Sequence, residues 1–257
     1  MEHLFHERTE LLLGAEGIEK LGHAHVFVAG LGGVGSYAAE ALARAGVGQL
    51  TLLDHDTVAE SNLNRQLVAL RSTLGQAKAE VMRARIADIA PDAEVTILQT
   101  FMNAADPAAV VPNSADIVLD CIDSIAAKAA LVAFAVETQR QVFSSMGAGG
   151  RIDPTAVRVA KLSETRTCPL AREMRKQLRR HGVALEAVPV VYSLEQPKKG
   201  TEHRPVGGNQ PGRPRSINGT ISYLPAIFGL TLAGEAIRHI LNRTAPTADA
   251  SSLRRDA

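Results

Sequence analysis

Asp54, Asn62, Arg65 and Lys78 lie close together in the chain, just past a glycine-rich turn, and Asp123 follows a later apolar run. The turn is VAGLGGVGS (28–36), which sets Gly30, Gly32 and Gly35 in the pattern G-x-G-x-x-G and adds Gly33 as a doublet. Between a strand and a helix, such glycines let main-chain N–H groups approach a phosphate, and the helix N-terminus adds about half a positive charge. Asp54 stands 22 residues after Gly32, where a carboxylate can take a ribose hydroxyl. A redox dinucleotide asks for little more. The stretch LDHDTVAESNLNRQ (53–66) nevertheless continues with side-chain amides and Arg65, and Lys78 opens the next helix. Two cations converging on phosphates hold the charge that develops as pyrophosphate leaves a triphosphate. Each alone reads equally well as a surface cation. Asp123, in LDCIDS, suits Mg²⁺, which prefers oxygen ligands and bridges phosphates. A helix N-cap is the plainer role for Asp123, and Ser124 could fill that role as well.

These residues need a scaffold that brings strand ends together. HVFVAG (25–30), QLTLLD (49–54), EVTILQ (94–99), DIVLDC (116–121) and QVFSS (141–145) read as strands. GGVGSYAAEALARAG (32–46), GQAKAEVMRARIADIAP (75–91) and SIAAKAALVAFAVETQ (124–139) read as the helices between them. Alternation of this kind predicts an α/β fold with a doubly wound, mostly parallel, Rossmann-like sheet, and ligands then bind beyond the carboxyl ends of the strands. After residue 150 the alternation stops. AVRVAK (156–161) reads as an edge strand, and the fold is expected to carry antiparallel edge strands, a basic helix over 168–182 and a final apolar helix over 222–241. That last helix, with Gly229 and Gly234, reads as a core or dimer-interface element. Residues 196–216 are rich in Pro, Gly and basic residues, a composition expected of a mobile loop, and the last dozen residues read as a disordered tail. Residues 1–150 are thus the expected ATP-binding core, and 151–257 an extension of the same domain.

The composition narrows the function. No run of eighteen apolar residues predicts a membrane span, and MEHLFHERTE lacks the apolar core of a signal peptide, so a cytoplasmic location is expected. Two cysteines, Cys121 and Cys168, with no CxxC, exclude a four-thiolate zinc site. Both read as structural. The net charge of +1 hides a division: residues 1–150 hold 10 Lys and Arg against 18 Asp and Glu, while residues 151–257 hold 18 against 9. Arg172, Arg175, Lys176, Arg179 and Arg180 share one broad helical face, and Lys198, Lys199, Arg204, Arg213 and Arg215 add a basic arm. Such clusters bind a nucleic-acid backbone without reading its sequence, although a solvated face explains the helix alone equally well. Few aromatics leave little scope for base stacking.

In order and spacing, GLGGVGS, LDHDTVAESNLNRQ, GQAK and DCIDS resemble the ThiF/MoeB-like branch of the ubiquitin-activating-type adenylating enzymes, over about residues 5–150. SNLNRQ is the most specific part. The resemblance implies that a carboxylate is joined to the α-phosphate of ATP, giving an acyl-adenylate and pyrophosphate. It assigns Asp54 to the ribose, Asn62, Arg65 and Lys78 to the triphosphate, and Asp123 to magnesium. It also makes Arg8, in HERTELLLG (6–14), the residue that reaches the ATP of a partner subunit, and so implies a homodimer. Beyond residue 145, SSMGAGGRIDPTAVRVAKLSET, CPLAREMRKQLRRHG, VVYSLEQP and NGTISYLPAIFGLTLAGEAI resemble the tRNA threonylcarbamoyladenosine dehydratases. That subgroup implies adenylation of the threonine carboxylate on the modified tRNA base, then attack by the adjacent carbamoyl group, with net loss of water. A sulfur-relay partner is implied by resemblance only, and the backbone-rich GAGG segment (147–150) leaves room for a monovalent cation. The competing reading is an adenylyltransferase for a ubiquitin-like sulfur carrier, which the absent CxxC and the basic half oppose. A third, an NAD-binding module, leaves Arg65, Lys78 and Asp123 without a joint task.

Overall fold

The computed structural model describes residues 4–198 and 219–243. The expected strands appear as β1 (His25–Ala29), β2 (Gln49–Leu53), β3 (Glu94–Leu98), β4 (Ile117–Asp120), β5 (Gln141–Ser145) and β6 (Val157–Lys161), joined by β7 (Pro189–Ser193). The helices are α1 (Glu7–His23), α2 (Gly35–Ala45), α3 (Lys78–Ile89), α4 (Ile125–Glu137), α5 (Pro169–Arg180) and α6 (Leu224–Asn242). One sheet holds all seven strands in the order β3-β2-β1-β4-β5-β7-β6. The strand order reverses between β1 and β4, which pair in parallel. A crevice opens there at the carboxyl ends.

The two faces of the sheet carry separate apolar layers. Val26 and Val28 of β1 join the layer packed by α2, α3 and α6. Phe27 and Ala29 join the other, packed by α4 and α5. Successive side chains of a strand point to opposite faces, so a fully buried run such as HVFVA serves both layers at once.

Two outcomes add to the expectation. The antiparallel edge is β6 on β7, while β7 itself lies inside the sheet, parallel to β5, and the opposite edge, β3, is parallel to β2. VVYS of β7 is buried throughout, whereas β6 has no buried residue and is half-buried or exposed along its length, so the interior place goes to the more apolar strand. The N-terminal segment forms the 17-residue α1, bent where Gly14 takes φ 73°. Its Leu11 and Leu12 are exposed, which hides the helical period from a pattern search. Most of the expected loop 196–216 and the tail lie outside the described residues.

α6 passes the length and composition test for a membrane span, yet Leu224, Phe228, Leu232, Ala236 and Ile240 are buried in the α2 layer, as expected of a core helix. Gly229 makes that packing possible. A Cβ there would lie 2.2 Å from the Val34 carbonyl oxygen, while one at Gly234 would meet nothing within 4 Å. Gly229→Ala is therefore expected to cost about 2 kcal/mol or more by overpacking. Gly234→Ala should be neutral, or stabilising by up to about 1 kcal/mol, because alanine is the better helix former. Urea unfolding of the two variants checks this; equal effects would contradict the close α2–α6 contact.

Candidate active site

The glycine turn follows β1 and opens α2. Gly30 adopts φ 90°, and a Cβ on it would stand 2.9 Å from the Cys121 carbonyl oxygen. A Cβ on Gly35 would collide with the Gly30 oxygen at 1.7 Å. Glycine is required at both, one for its backbone angle and one for close approach. Ser36 locks the turn from within: its Oγ donates to the Gly32 oxygen at 2.7 Å and accepts from Leu67 N–H at 3.3 Å.

Asp54 is buried at the end of β2 and clamps the turn from the other side. Its Oδ2 accepts from Leu31 N–H at 2.6 Å and its Oδ1 from Asp56 N–H at 2.8 Å. Each carboxylate oxygen has a second lone pair, so a ribose hydroxyl can still donate to it.

The segment after Asp54 doubles back on itself. Val58 N–H donates to the Gln76 oxygen, Gly75 N–H to the Val58 oxygen and Lys78 N–H to the Asp56 oxygen, while Val58, Val68 and Ala69 plug the space beneath. This closure sets Lys78 Nζ 3.0 Å from Asp56 Oδ2, with the lysine buried and the aspartate half-exposed. Asn62 is buried, and its Oδ1 caps Ala59 N–H at 3.0 Å, leaving the amide NH₂ as its donor to a ligand. Arg65 lies against the turn, its Cγ 3.4 Å from where a Gly33 Cβ would be. Its Nη1 donates to the Ser61 oxygen and to Asn64 Oδ1 at 2.9 Å. Burial pulls its guanidinium below the ordinary value, the mark of a cation stripped of some water and, among the described residues, without a carboxylate to replace it. Asp123 is exposed beyond β4, and Ser124 takes the N-cap position of α4 without a side-chain cap.

Gly30, Gly32, Gly33, Gly35, Asp54, Asn62, Arg65, Lys78, Asp123 and Ser124 thus gather at the carboxyl ends of β1, β2 and β4. Arg8 does not join them. It is exposed on α1. Its neighbours Glu7 and Glu10 line a cavity of about 750 Å³ with Gly22, Gly46, Gly48 and Ala93, at the opposite end of the sheet. Of the basic face, Arg172, Lys176, Arg179 and Arg180 are exposed, whereas Arg175 folds back, half-buried, onto the oxygens of Thr165.

Several participants escape a sequence reading. Asp56, the partner of Lys78, is in the opening stretch but shows its role only through the doubled-back segment. Asp54, His55 and Asp56 bring possible metal-ligand atoms within 4.8 Å of one another. Asp54 clamps two main-chain amides and Asp56 pairs with Lys78 and His55, so the trio is a hydrogen-bonded cluster. At the end of β4, Asp120 forms a fully buried pair with Lys128 of α4 at 2.7 Å, joined by Ser144 of β5 at 2.6 Å. The one signal for it is a single lysine in the otherwise apolar IAAKAALVAFAV.

Neither thiol is prepared for attack. Burial pushes the Cys121 thiol up to about 12, with the adjacent Asp120 carboxylate adding to the effect and Lys128 opposing it. Cys168 is buried at the N-cap of α5. A thiol at 12 holds almost no thiolate at neutral pH. Cys121→Ala is expected to keep turnover within about twofold of the parent, a small change for a conservative replacement of a buried thiol. Loss of turnover by about tenfold or more, with folding intact, would restore a nucleophilic role.

The ThiF family profile matches residues 6–255. The chain belongs to the ThiF family. Against relatives, this ThiF-family chain is 40% identical over 245 residues to the tRNA threonylcarbamoyladenosine dehydratase of Bacillus subtilis, covering 94% of this chain and 96% of the relative. It superposes on Escherichia coli tRNA N6-threonylcarbamoyladenosine dehydratase in complex with ATP with a TM-score of 0.82 and 36% identity, over 91% of this chain and 93% of that one. The molybdopterin-synthase adenylyltransferase of Escherichia coli is 41% identical, but over 49% of this chain and 51% of its own.

Proposed function

We propose that this ThiF-family protein is an ATP-dependent tRNA threonylcarbamoyladenosine dehydratase. It joins the threonine carboxylate of the modified base to the α-phosphate of ATP, releasing pyrophosphate. The neighbouring carbamoyl group then attacks the activated carbonyl and expels AMP, so the base is cyclised with net loss of one water. One observation carries this reading. Likeness to a dehydratase runs through the basic C-terminal half, whereas likeness to an adenylyltransferase covers only half of the chain.

The site supports this chemistry. The turn at Gly30–Gly35 leaves room for phosphate and turns main-chain N–H groups toward it. Asp54 receives the ribose, and Asn62, Arg65 and Lys78 face the triphosphate. Asp123 is the residue that would hold Mg²⁺, which would screen phosphate charge when bound. The second step needs no enzyme nucleophile, because the carbamoyl group is already beside the activated carbonyl at high effective concentration. The Cys121 thiol, partly buried and pushed up by desolvation, agrees with that. Residues 1–150 serve as the ATP-binding core and 151–257 as its extension. Arg172, Lys176, Arg179 and Arg180 offer their exposed charges to the tRNA backbone; Arg175 braces the helix against Thr165. Arg8, placed away from its own site, is fitted to act only in trans, so the working form is a homodimer. A sulfur-relay protein that helps the reaction in cells is a further candidate partner, supported by the family resemblance alone.

The test incubates the protein with ATP, Mg²⁺ and tRNA bearing threonylcarbamoyladenosine, then weighs the gently digested nucleosides. ATP-dependent loss of one water is the expected result. An unchanged nucleoside, with pyrophosphate exchange only after a ubiquitin-like carrier is added, would move the protein to the adenylyltransferases.

A further inference from the structure

Arg151 is the most deeply buried arginine among the described residues, with 3% of its surface exposed. It follows GAGG, beyond the carboxyl end of β5. Among the described residues, every hydrogen bond it makes is to a main-chain oxygen. Nε donates to the Glu195 oxygen at 2.8 Å, and Nη1 donates to the oxygens of Gly147 at 2.6 Å and Gly149 at 3.1 Å. Nη2 is buried without a partner among the described residues. The Glu195 carboxylate turns away from it, to the N–H groups of Ile152 and Asp153 at 2.8 and 2.7 Å.

Three carbonyl oxygens converging on one positive centre is the arrangement by which main chains hold a desolvated monovalent cation. Here the positive centre is already supplied. A buried arginine that pairs with no carboxylate is costly, and that cost is offset only if its charge organises something. What it organises is a junction. Gly150 N–H donates to the Gly219 oxygen and Lys198 N–H to the Gly150 oxygen, both at 2.7 Å. Tyr223 Oη donates to the Ile152 oxygen at 2.5 Å. Thr220, next to Gly219, accepts from Asn64 Nδ2 at 3.1 Å, and Asn64 Oδ1 in turn receives Arg65 Nη1. The loop around Arg151 is thereby tied to the segment that carries the phosphate cations.

We propose that Arg151 is a built-in cation: its guanidinium takes the place of a monovalent metal ion at the carbonyls of Gly147, Gly149 and Glu195 and positions the loop beside the nucleotide site. On this proposal Arg151 itself fills the room that GAGG leaves for a monovalent ion. Arg151 is a positioning residue, since it acts through the loop and touches no reacting group. This inference holds whichever carboxylate is activated, because its first readout is stability.

The experiment compares the parent, Arg151→Gln and Arg151→Lys in choline, sodium and potassium chloride at equal ionic strength. Thermal unfolding midpoints, ATP affinity and tRNA-dependent AMP formation are measured in each salt. The parent is expected to respond alike to all three salts. Arg151→Gln, which keeps a neutral donor but loses the charge, should lose about 10- to 100-fold in turnover in choline, the usual effect of removing a group that orients a site. Potassium or sodium should restore much of that turnover and raise its midpoint. Arg151→Lys should stay active and indifferent to salt, because its ammonium still supplies the cation. A parent that needs an alkali cation, an Arg151→Gln that is fully active in choline, or an Arg151→Gln that no alkali cation restores would each overturn the proposal. If Arg151→Gln does not fold in any salt, Arg151→Lys decides: salt-independent activity supports the built-in cation, and a potassium requirement removes it. AMP formation absent from all three proteins, with the stability pattern as expected, would count against the dehydratase reading and leave the cation intact.

Discussion

Arg65→Gln is expected to lower the rate of AMP formation by about 100- to 1,000-fold, the range seen when one preorganised donor to developing charge is removed. The guanidinium sits half-desolvated against the glycine turn, bonded only to a main-chain and an amide oxygen. Among the described residues nothing anionic pairs with it, which leaves it to answer charge as pyrophosphate departs. Lys78→Met should cause a comparable loss. Lys78 is held by Asp56, however, so Asp56→Ala should also weaken turnover, through misplacement of the ammonium. ATP affinity should fall far less than turnover in Arg65→Gln, because an interaction that strengthens in the transition state shows in kcat. Single-turnover kinetics and equilibrium ATP binding separate the two. Turnover within threefold of the parent, or equal losses in binding and turnover, would remove Arg65 from the chemistry.

Lys128→Met should be the most damaging single change to stability, costing about 3–5 kcal/mol. Lys128 and Asp120 are both wholly buried, and Ser144 donates to the same carboxylate oxygen. Removing the lysine leaves an ionised carboxylate in a dry layer between α4 and the sheet. Restoring balance matters more than restoring charge. The double variant Lys128→Met, Asp120→Leu should therefore recover most of the loss, since apolar replacements of a buried pair are often neutral. Chemical denaturation of the single and double variants measures this. A double variant as unstable as Lys128→Met would mean that the pair contributes specific hydrogen bonding, as to Ile122 N–H, rather than mutual neutralisation. Asp120 precedes Cys121, whose carbonyl lies against Gly30, so this pair also props the wall of the nucleotide turn.

The glycine turn and its clamp by Asp54 were legible because their parts are local. A glycine that needs φ 90° must be glycine whatever surrounds it, and its distance from Asp54 is set by one helix and one strand. The apolar runs of β1, β2, β4 and β5 name their own burial, and with intervening helices they dictate a parallel sheet and its crevice. The basic face of α5 could be read from helical spacing, though not that Arg175 would be drawn onto Thr165.

What the sequence by itself determined, then, is the series of elements and the residues that gather at the carboxyl ends of β1, β2 and β4, since both follow from short-range spacing and backbone tolerance. Tertiary structure alone decided the pairings between distant segments. It chose β7 over β6 for the interior, and it set Lys78 on Asp56 and Lys128 on Asp120. It also sent Arg8 to the far end of the sheet and seated Arg151 among three carbonyls. The physical reason is common to all of these. A buried charge must find its partner wherever the fold brings one within hydrogen-bond reach, and that distance is not written in sequence separation.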